Sequence, residues 1–158
     1  MNTQIAPPIK PCDDRYLSFY LNQQTPALLL MEYAQEVIIV PKTRLSPMPN
    51  MPECVLGLLN RRSKILWVVN LAQMLNLPGT EPIAQQYQIV IIQVKQVKLG
   101  LVVQSVKGVT YFANHCRQTP TKLYTGLAPY VSECITQGDE ILIVLDVEKI
   151  TNSPNLKT

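Results

Sequence analysis

The chain has 158 residues, of which 47% are hydrophobic and 16% charged, which is the composition of a folded protein and excludes a disordered one. This length suits one domain or two small fused subdomains. The net charge of +3 argues against a nucleic-acid partner, because such partners are usually bound by a denser basic face. Apolar runs are only strand-sized, so we expect no direct membrane insertion.

The N-terminal residues 1–14 contain three prolines and lack the apolar core of a signal peptide. We therefore expect a flexible arm followed by a folded domain at residues 15–158, and a cytoplasmic location. The four cysteines, at positions 12, 54, 116 and 134, form no CxxC pair. Without an export signal, reduced thiols are the expectation.

The first half of the chain reads as short strands. Residues 16–22 place Leu17, Phe19 and Leu21 on one face, which predicts a half-buried strand. Two further strands are predicted at residues 27–31 and 35–40. Four prolines between residues 41 and 52 predict an extended, irregular connection, because proline removes backbone donors and restricts the residue before it.

A short helical turn is predicted at residues 53–56, ending at Gly57. Residues 58–60 and 64–69 predict a hairpin. Asn70 is the predicted N-cap of a short helix, and residues 79–86 form a predicted linker. The β pattern then restarts, with strands predicted at 87–95, 97–104, 107–110, 129–136 and 140–145 and a last helical turn at 147–150. Each half thus holds about five strands, which gives subdomain 1 at about 15–80, subdomain 2 at about 81–150 and a tail at 151–158.

No constellation of catalytic residues is present. The six glycines are scattered singly, and one histidine excludes a multi-histidine metal centre. We therefore expect no catalytic residue, no metal site, no cofactor and no enzymatic activity. His115 lies beside Cys116, but adjacent residues of a strand point to opposite faces and make a poor base and nucleophile. A cysteine-dependent or small-ligand-binding protein is only a remote alternative.

The most informative stretch is residues 55–71, VLGLLNRRSKILWVVNL, in which Arg61 and Arg62 lie on a turn between apolar strands. The chain here resembles the CheW family, whose signature is a proline-containing loop, a hydrophobic–Gly–hydrophobic–Asn–Leu–Arg–Gly run and a Pro-Val-hydrophobic-Asp-Leu strand end. The matching positions are 46–49, Gly57, Asn60, Arg62 and Leu71. Residues 35–37, 100–109 and 141–149 resemble further elements of the family in the same order.

This resemblance implies a mainly β fold of two five-stranded, SH3-like barrels packed side by side, with one or two short helices, in agreement with the strand count. It also implies a non-catalytic adaptor that couples chemoreceptors to a CheA-type histidine kinase. For the regulatory domain of the kinase, we expect contacts from Glu36, Val37, Pro49 and Arg62. For the cytoplasmic tip of a chemoreceptor, we expect contacts from Gly57, Val103 and Val106.

Several of these assignments have alternatives. Arg62 either contacts a partner or stabilises the proline-containing loop through its backbone carbonyls, and the two valines either contact the receptor or pack in the core. A second function is a competitor that binds kinase without receptor and restrains signalling.

Four residues depart from the family pattern and mark a divergent member: Ser63, Trp67, Asn70 and Gln104 stand in place of Gly, Pro, Asp and Asp. Asn70 and Gln104, which replace carboxylates, slightly favour the function of a competitor that binds kinase without receptor. We expect Ser63 to avoid left-handed backbone angles. Trp67 is either a core residue or an exposed anchor for a partner.

Overall fold

Eleven strands and two short α-helices make up the described part of the chain, residues 14–77, 85–112, 117–118 and 127–156 of a computed structural model. In chain order they are β1 (Asp14–Tyr20), β2 (Pro26–Leu30), β3 (Ala34–Pro41), β4 (Val55–Arg61), β5 (Lys64–Asn70), α1 (Leu71–Met74), β6 (Gln86–Val94), β7 (Val97–Val103), β8 (Ser105–Phe112), β9 (Arg117–Gln118), β10 (Val131–Gln137), β11 (Glu140–Leu145) and α2 (Val147–Thr151).

The strands form two sheets. The terminal sheet has the order β8-β1-β2-β11-β10-β9, and the central sheet, built from the middle of the chain, has the order β3-β6-β7-β5-β4. Neighbouring strands are antiparallel except for the parallel pairs β2–β11 and β5–β7. Apart from the two-residue β9, each sheet has five strands. The predicted fold class, mainly β with two five-stranded units and short helices, is therefore confirmed.

The sheets do not divide the chain between residues 80 and 81, where the sequence places the subdomain boundary. The central sheet takes strands from both sides of that point, because β5 pairs with β7 and β3 pairs with β6. The terminal sheet likewise joins β1 and β2 to β8 and β11. The intervening linker lies mostly outside the described residues, at 78–84.

Three apolar clusters hold the sheets together. One, which includes Val68, Ile89 and Val102, lies on the concave face of the central sheet and receives side chains from all five of its strands. A second, around Tyr16 and Ile135, lies inside the terminal sheet. The third and largest is the shared core, in which β1 and β11 of the terminal sheet pack against β5, β6 and β7 of the central sheet, with both helices. The two sheets therefore form one unit with a common core.

Several local predictions are confirmed. Leu17, Phe19 and Leu21 all point into the shared core. Asn70 Oδ1 accepts a hydrogen bond from the backbone nitrogen of Gln73 at 3.1 Å, which caps α1 as expected of an N-cap residue.

Two local predictions are wrong. Residues 53–56 do not form a helical turn, because β4 already begins at Val55 and runs through Gly57. Ser63 does adopt a left-handed angle, with φ 63°, and Arg62 has φ 55°. Positive φ at both central residues is the geometry that suits a two-residue hairpin turn, since it matches the twist of the strands.

The C-terminal segment is part of the fold as far as Leu156, although the sequence places a tail at 151–158. Ser153 is buried, its hydroxyl lies 2.6 Å from the Tyr130 hydroxyl, and Leu156 packs against the shared core. At the other end, β1 begins at Asp14, and the rest of the predicted arm lies outside the described residues. No helix in the described ranges is long and apolar enough to cross a membrane.

Candidate docking surfaces

An arginine–carboxylate pair joins the two edge strands of the central sheet. Glu36 lies on β3, and Arg61 is the last residue of β4. Arg61 Nε donates to Glu36 Oε2 at 3.2 Å and Arg61 Nη2 donates to Glu36 Oε1 at 2.9 Å. The Arg62 guanidinium adds a longer contact, 3.6 Å from Nη2 to the same Oε1. The pair is bidentate, the geometry in which arginine binds carboxylates most specifically.

This contact shows that the central sheet curves into a barrel-like unit, the central barrel, in which the edge strands β3 and β4 approach each other. In a flat sheet, β3 and β4 would lie about 19 Å apart, given the usual spacing of about 4.8 Å between strands. The two side chains can meet at 2.9 Å only if the sheet curves until its edges approach each other. The Glu36–Arg61 pair therefore sits at one open end of the central barrel.

The pair also fixes the charge of Glu36. The hydrogen bonds from Arg61 lower the pKa of the Glu36 carboxyl, against a smaller opposing effect of desolvation, and the positive charges of Arg61, Arg62 and Lys98 lower it further. The pKa of Arg61 is raised by the same hydrogen bonds. Glu36 is therefore an ionised, oriented carboxylate that is still accessible to solvent.

The arginine that holds Glu36 is Arg61, which the sequence-based prediction passed over in favour of Arg62. Arg61 belongs to β4 and shares the inward face of Leu59, so it points towards Glu36. The Arg62 side chain lies in the turn and is 74% exposed. Within the described part of the chain it donates no hydrogen bond to the loop at 42–54, so the alternative of stabilising that loop is not supported.

The proline-containing loop is anchored on β4. The backbone nitrogen of Ser46 donates to Leu58 O, and that of Leu58 donates to Ser46 O, both at 2.9 Å. Beyond this bridge Met48 and Pro49 are exposed. Val37, on the outer face of β3, is 41% exposed. Glu36, Val37, Pro49 and Arg62 are thus all at least partly accessible on the central barrel.

Gly57 has a structural role in this arrangement. Its φ is 142°, and a Cβ at this position would lie 2.3 Å from the Ser46 carbonyl oxygen. Only glycine allows β4 to come this close to the loop backbone. Gly57 is buried and lies at a bulge in the β4–β5 pairing. It therefore shapes the loop, and its backbone is covered by Ser46 and Pro47.

The two valines predicted to bind the receptor lie at the junction of the two sheets. Val103 is only 5% exposed and packs in the shared core, so its side chain is covered. Val106 is half-buried, and its backbone nitrogen donates to Gln88 Oε1 at 2.9 Å, which ties β8 of one sheet to β6 of the other. Gln104, between them in sequence, is exposed. Gln104 is thus exposed at this junction, whereas Val106 is partly buried and packs against the shared core.

The sequence raised exposure as an alternative for Trp67 but gave no expectation for its exposed neighbours Ile65 and Val97. Ile65 and Val97 are exposed on the outer face of the central barrel, and Trp67 on the same face is 37% exposed. The signal was the alternation of β5, in which Leu66 and Val68 point inwards while Ile65 and Trp67 point outwards. The alternative of Trp67 as a core residue is therefore not supported.

The described thiols are poorly suited to chemistry. Cys54 and Cys134 are buried, and burial raises the pKa of both. His115 and Cys116 lie outside the described residues. The described ranges hold no group of three His, Cys, Asp or Glu side chains that could bind a metal ion.

Cys54 and Cys134 are therefore expected to react slowly with iodoacetamide at pH 7, since the thiolate is the reactive form and burial suppresses it. Peptide mass spectrometry over a time course gives the rate at each cysteine, with the guanidinium-unfolded chain as the reference. We expect both thiols to be protected at least tenfold relative to that reference. Rapid alkylation of Cys54 in the folded protein would contradict its burial.

Arg61→Ala and Arg62→Ala are expected to differ in their effect on stability. Removing Arg61 breaks the bidentate pair and should lower the free energy of unfolding, modestly because the pair is accessible to solvent. Removing the exposed Arg62 should change it by less than about 0.5 kcal/mol. Urea unfolding of the two variants measures this, and equal losses would contradict the assignment of Arg61 as the structural partner.

The same pair predicts a pH window. Because the pKa of Glu36 is lowered in the folded state, its contribution is complete above the unfolded value of about 4.3 and is lost as the pH falls below it. The stability difference between wild type and Arg61→Ala should therefore be constant near neutral pH and shrink below about pH 4. A difference that persists unchanged at low pH would contradict this.

Comparison with known proteins identifies the family to which this fold belongs. A family model described as the CheW-like domain matches residues 15–155. The Chemotaxis protein CheW of Treponema pallidum is 30% identical over 145 residues, covering 89% of this chain and 84% of the relative. The Chemotaxis protein CheW of Thermotoga maritima is 25% identical over 141 residues, covering 89% of each.

A solved structure agrees with the fold. The crystal structure of the scaffolding protein TtCheW from Thermoanaerobacter tengcongensis superposes with a TM-score of 0.79 at 19% identity, covering 92% of this chain and 97% of that one. Together with the family model, which spans both sheets and the shared core, these matches establish that the chain belongs to the CheW-like domain family.

Proposed function

We propose that this chain is a non-catalytic, cytoplasmic adaptor of a chemotaxis or motility pathway that couples chemoreceptors to a CheA-type histidine kinase. The observation that carries the proposal is the CheW-like domain over residues 15–155. It is supported by the names of the relatives, both chemotaxis proteins, and by the structural neighbour, which is named a scaffolding protein. The accessible groups of the two barrels suit reversible protein contacts.

The kinase-binding surface is proposed at the open end of the central barrel. Glu36 is held ionised and oriented by Arg61, Arg62 extends into solvent, and Val37 and Pro49 add exposed apolar surface on the same barrel. An oriented carboxylate beside an accessible guanidinium can exchange ion pairs with a partner at little cost in ordering, because Arg61 already fixes the carboxylate. Arg61 acts as a positioning residue in this proposal.

The receptor-binding surface is proposed at the junction of the two sheets. Gln104 offers an exposed contact there and Val106 a partly buried one, whereas Gly57 and Val103 act indirectly, by holding the loop and strands that shape the surface. A receptor tip that binds across this junction would contact both sheets at once. Because the sheets share one core, the relative position of the two proposed surfaces is fixed.

The test is calorimetric titration of the protein with two purified probes from the same organism, the regulatory domain of the kinase and a receptor-tip fragment. We expect both to bind. Glu36→Gln and Arg62→Ala should weaken binding of the kinase domain and leave binding of the receptor fragment unchanged. Gln104→Lys should weaken binding of the receptor fragment only. Binding of the kinase domain alone would support the competitor, the second candidate, which the loss of carboxylates at Asn70 and Gln104 favours. Binding of neither probe would contradict both functions.

A further inference from the structure

An open groove of about 680 Å³ lies at one end of the terminal sheet, where β2 and β11 end. Tyr33 and Tyr130 contribute aromatic rings to its lining, and Leu30, Pro129 and Pro154 add further apolar surface. The two prolines are exposed at its margin. Aromatic-lined grooves are typical binding sites for proline-rich segments in the polyproline II conformation.

The walls of this groove are held together by hydrogen bonds. The Tyr130 and Ser153 hydroxyls lie 2.6 Å apart, and the backbone nitrogen of Asp146 donates to Tyr130 O at 2.7 Å. Asp146 Oδ1 in turn accepts from the backbone nitrogen of Lys149 at 3.2 Å, which caps α2. These bonds join residues 128–130, the start of α2 and residues 152–154. Because the groove is already formed, a ligand pays little to order it.

Carboxylates dominate the charge of the groove. Asp146 and Glu148 belong to its lining, together with the cation Lys149. Burial raises the pKa of the Tyr33 hydroxyl, and the negative charges of Glu32, Glu148 and Asp146 raise it further, so all three carboxylates lie near this ring. Within the described ranges none of the three forms an ion pair. The groove therefore suits an apolar ligand that also carries a positive charge.

The chain itself contains a segment of this chemistry. Residues 5–11 read IAPPIKP, and they belong to the N-terminal arm, which lies outside the described residues as far as position 13. Polyproline II has three residues per turn, so Pro8 and Pro11 would lie on the same face of such a helix and Pro7 on another. Lys10, between Pro8 and Pro11, supplies the positive charge. The segment thus matches the groove in both apolar character and charge.

The arm also enters the fold at the right place. β1 begins at Asp14, and Tyr16 pairs with Leu30 of the groove lining. Asp14 and Leu30 are therefore one strand and two residues apart, which is about 8 Å at the usual spacings. β11 runs parallel beside β2, so Asp146 lies at the same end of the sheet. Four extended residues span about 13 Å, and this length brings Lys10 to the groove without any change in β1.

We infer that this groove is a docking site for the N-terminal arm of the same chain, which binds as a polyproline II segment. Pro8 and Pro11 pack against the aromatic rings, and Lys10 faces the carboxylates of Asp146 and Glu148. Tethering to β1 gives the arm an effective concentration in the millimolar range, so contacts that are individually weak suffice to fill the groove. The inference does not depend on the proposed function, because it concerns only the terminal sheet and the arm.

Carbodiimide crosslinking of the full chain tests this contact, because the reagent joins an ammonium group to a carboxylate only where the two are close. Peptide mass spectrometry of the monomer should show Lys10 linked to Asp146 or Glu148. The double variant Pro8→Ala/Pro11→Ala should lower the yield of this link about fivefold or more, since it loses both contacts with the rings. Pro7→Ala is the matched control and should keep the yield, because Pro7 lies on another face of the segment.

The charge of the groove is tested separately. Glu148→Gln should lower the yield of the Lys10 link, since it removes one of the two acceptor carboxylates. Asp139→Asn is its control, because Asp139 is exposed in the β10–β11 turn, at the opposite end of the terminal sheet from the groove. Circular dichroism and melting temperatures establish that each variant is folded.

Amide resonances give a second readout without a reagent. In ¹⁵N-labelled protein, the signals of residues 30–33 and 146–152 should differ between wild type and Pro8→Ala/Pro11→Ala, and should match between wild type and Pro7→Ala. Absence of the Lys10 link with unchanged groove signals would overturn the inference, as would a link whose yield ignores both prolines. A link found only in covalent dimers would assign the groove to the arm of a second copy and overturn docking within one chain. Each of these outcomes leaves the proposed function standing.

Discussion

Gly57→Ala is expected to lower the free energy of unfolding by about 3 kcal/mol or more, which for a chain of this size lowers the melting temperature by roughly 6–12 °C. Two costs combine at this position. The new Cβ would lie 2.3 Å from the Ser46 carbonyl oxygen, and a φ of 142° is unfavourable for any residue with a side chain. Relief of the overlap requires the Ser46–Leu58 bridge to open, which releases the proline-containing loop from β4. Differential scanning calorimetry measures the effect.

Gly108→Ala is the matched control for this change. Gly108 has nearly the same backbone angle, φ 132°, but a Cβ there would meet no atom within 4 Å. The control should therefore lose only the backbone term, about 1–2 kcal/mol. The difference between the two variants isolates the contact with the loop. If Gly57→Ala kept its melting temperature and lost only receptor binding, Gly57 would be a direct contact and its structural assignment would be wrong.

Phe19→Ala is expected to cost about 3–5 kcal/mol, the usual range for deleting a buried phenylalanine side chain. Phe19 is fully buried on β1 of the terminal sheet, yet it packs in the shared core that also contains Val90 and Leu101 of the central sheet. The substitution should therefore destabilise both sheets. We expect a single unfolding transition, shifted to lower urea concentration, whether it is followed by circular dichroism or by Trp67 fluorescence.

Val109→Ala, at an exposed position of β8, is the control and should change stability by less than about 0.5 kcal/mol. Trp67 reports on the central sheet alone, whereas circular dichroism reports on both. Two separate transitions in Phe19→Ala, with the fluorescence midpoint unchanged, would mean that the sheets unfold independently. That result would contradict a shared core.

The local features of this fold were predictable because short-range rules determine them. The alternation of Leu17, Phe19 and Leu21 predicted both the strand and its buried face, which is the period-2 rule acting on one segment. Asn70 before an apolar run predicted the helix cap. The prediction at 53–56 failed because Gly57 resembles a helix end in sequence, while its actual role is a close approach to Ser46, a residue eleven positions away.

Short-range rules could not predict which strands pair to form each sheet. The subdomain boundary at 80/81 assumed that strands pair with sequence neighbours, whereas Trp67 pairs with Leu99 and Leu28 with Val144. The family resemblance supplied the two-barrel architecture, which local patterns alone do not contain. The choice between Arg61 and Arg62 depended on where β4 ends, since one residue changes the face on which a side chain lies. Because the sequence does not define the last residue of β4, it could not show which of the two arginines contacts Glu36.

The proposed coupling requires this protein to bind two partners simultaneously, and simultaneous binding is therefore the most direct measurement. Analytical ultracentrifugation of the protein, the kinase regulatory domain and a receptor-tip fragment, alone and together, gives the mass of every complex. We predict a ternary species, because the proposed surfaces lie on different parts of a rigid, shared-core unit. Displacement of the kinase domain by the receptor fragment, with only binary complexes at saturating concentrations, would contradict coupling.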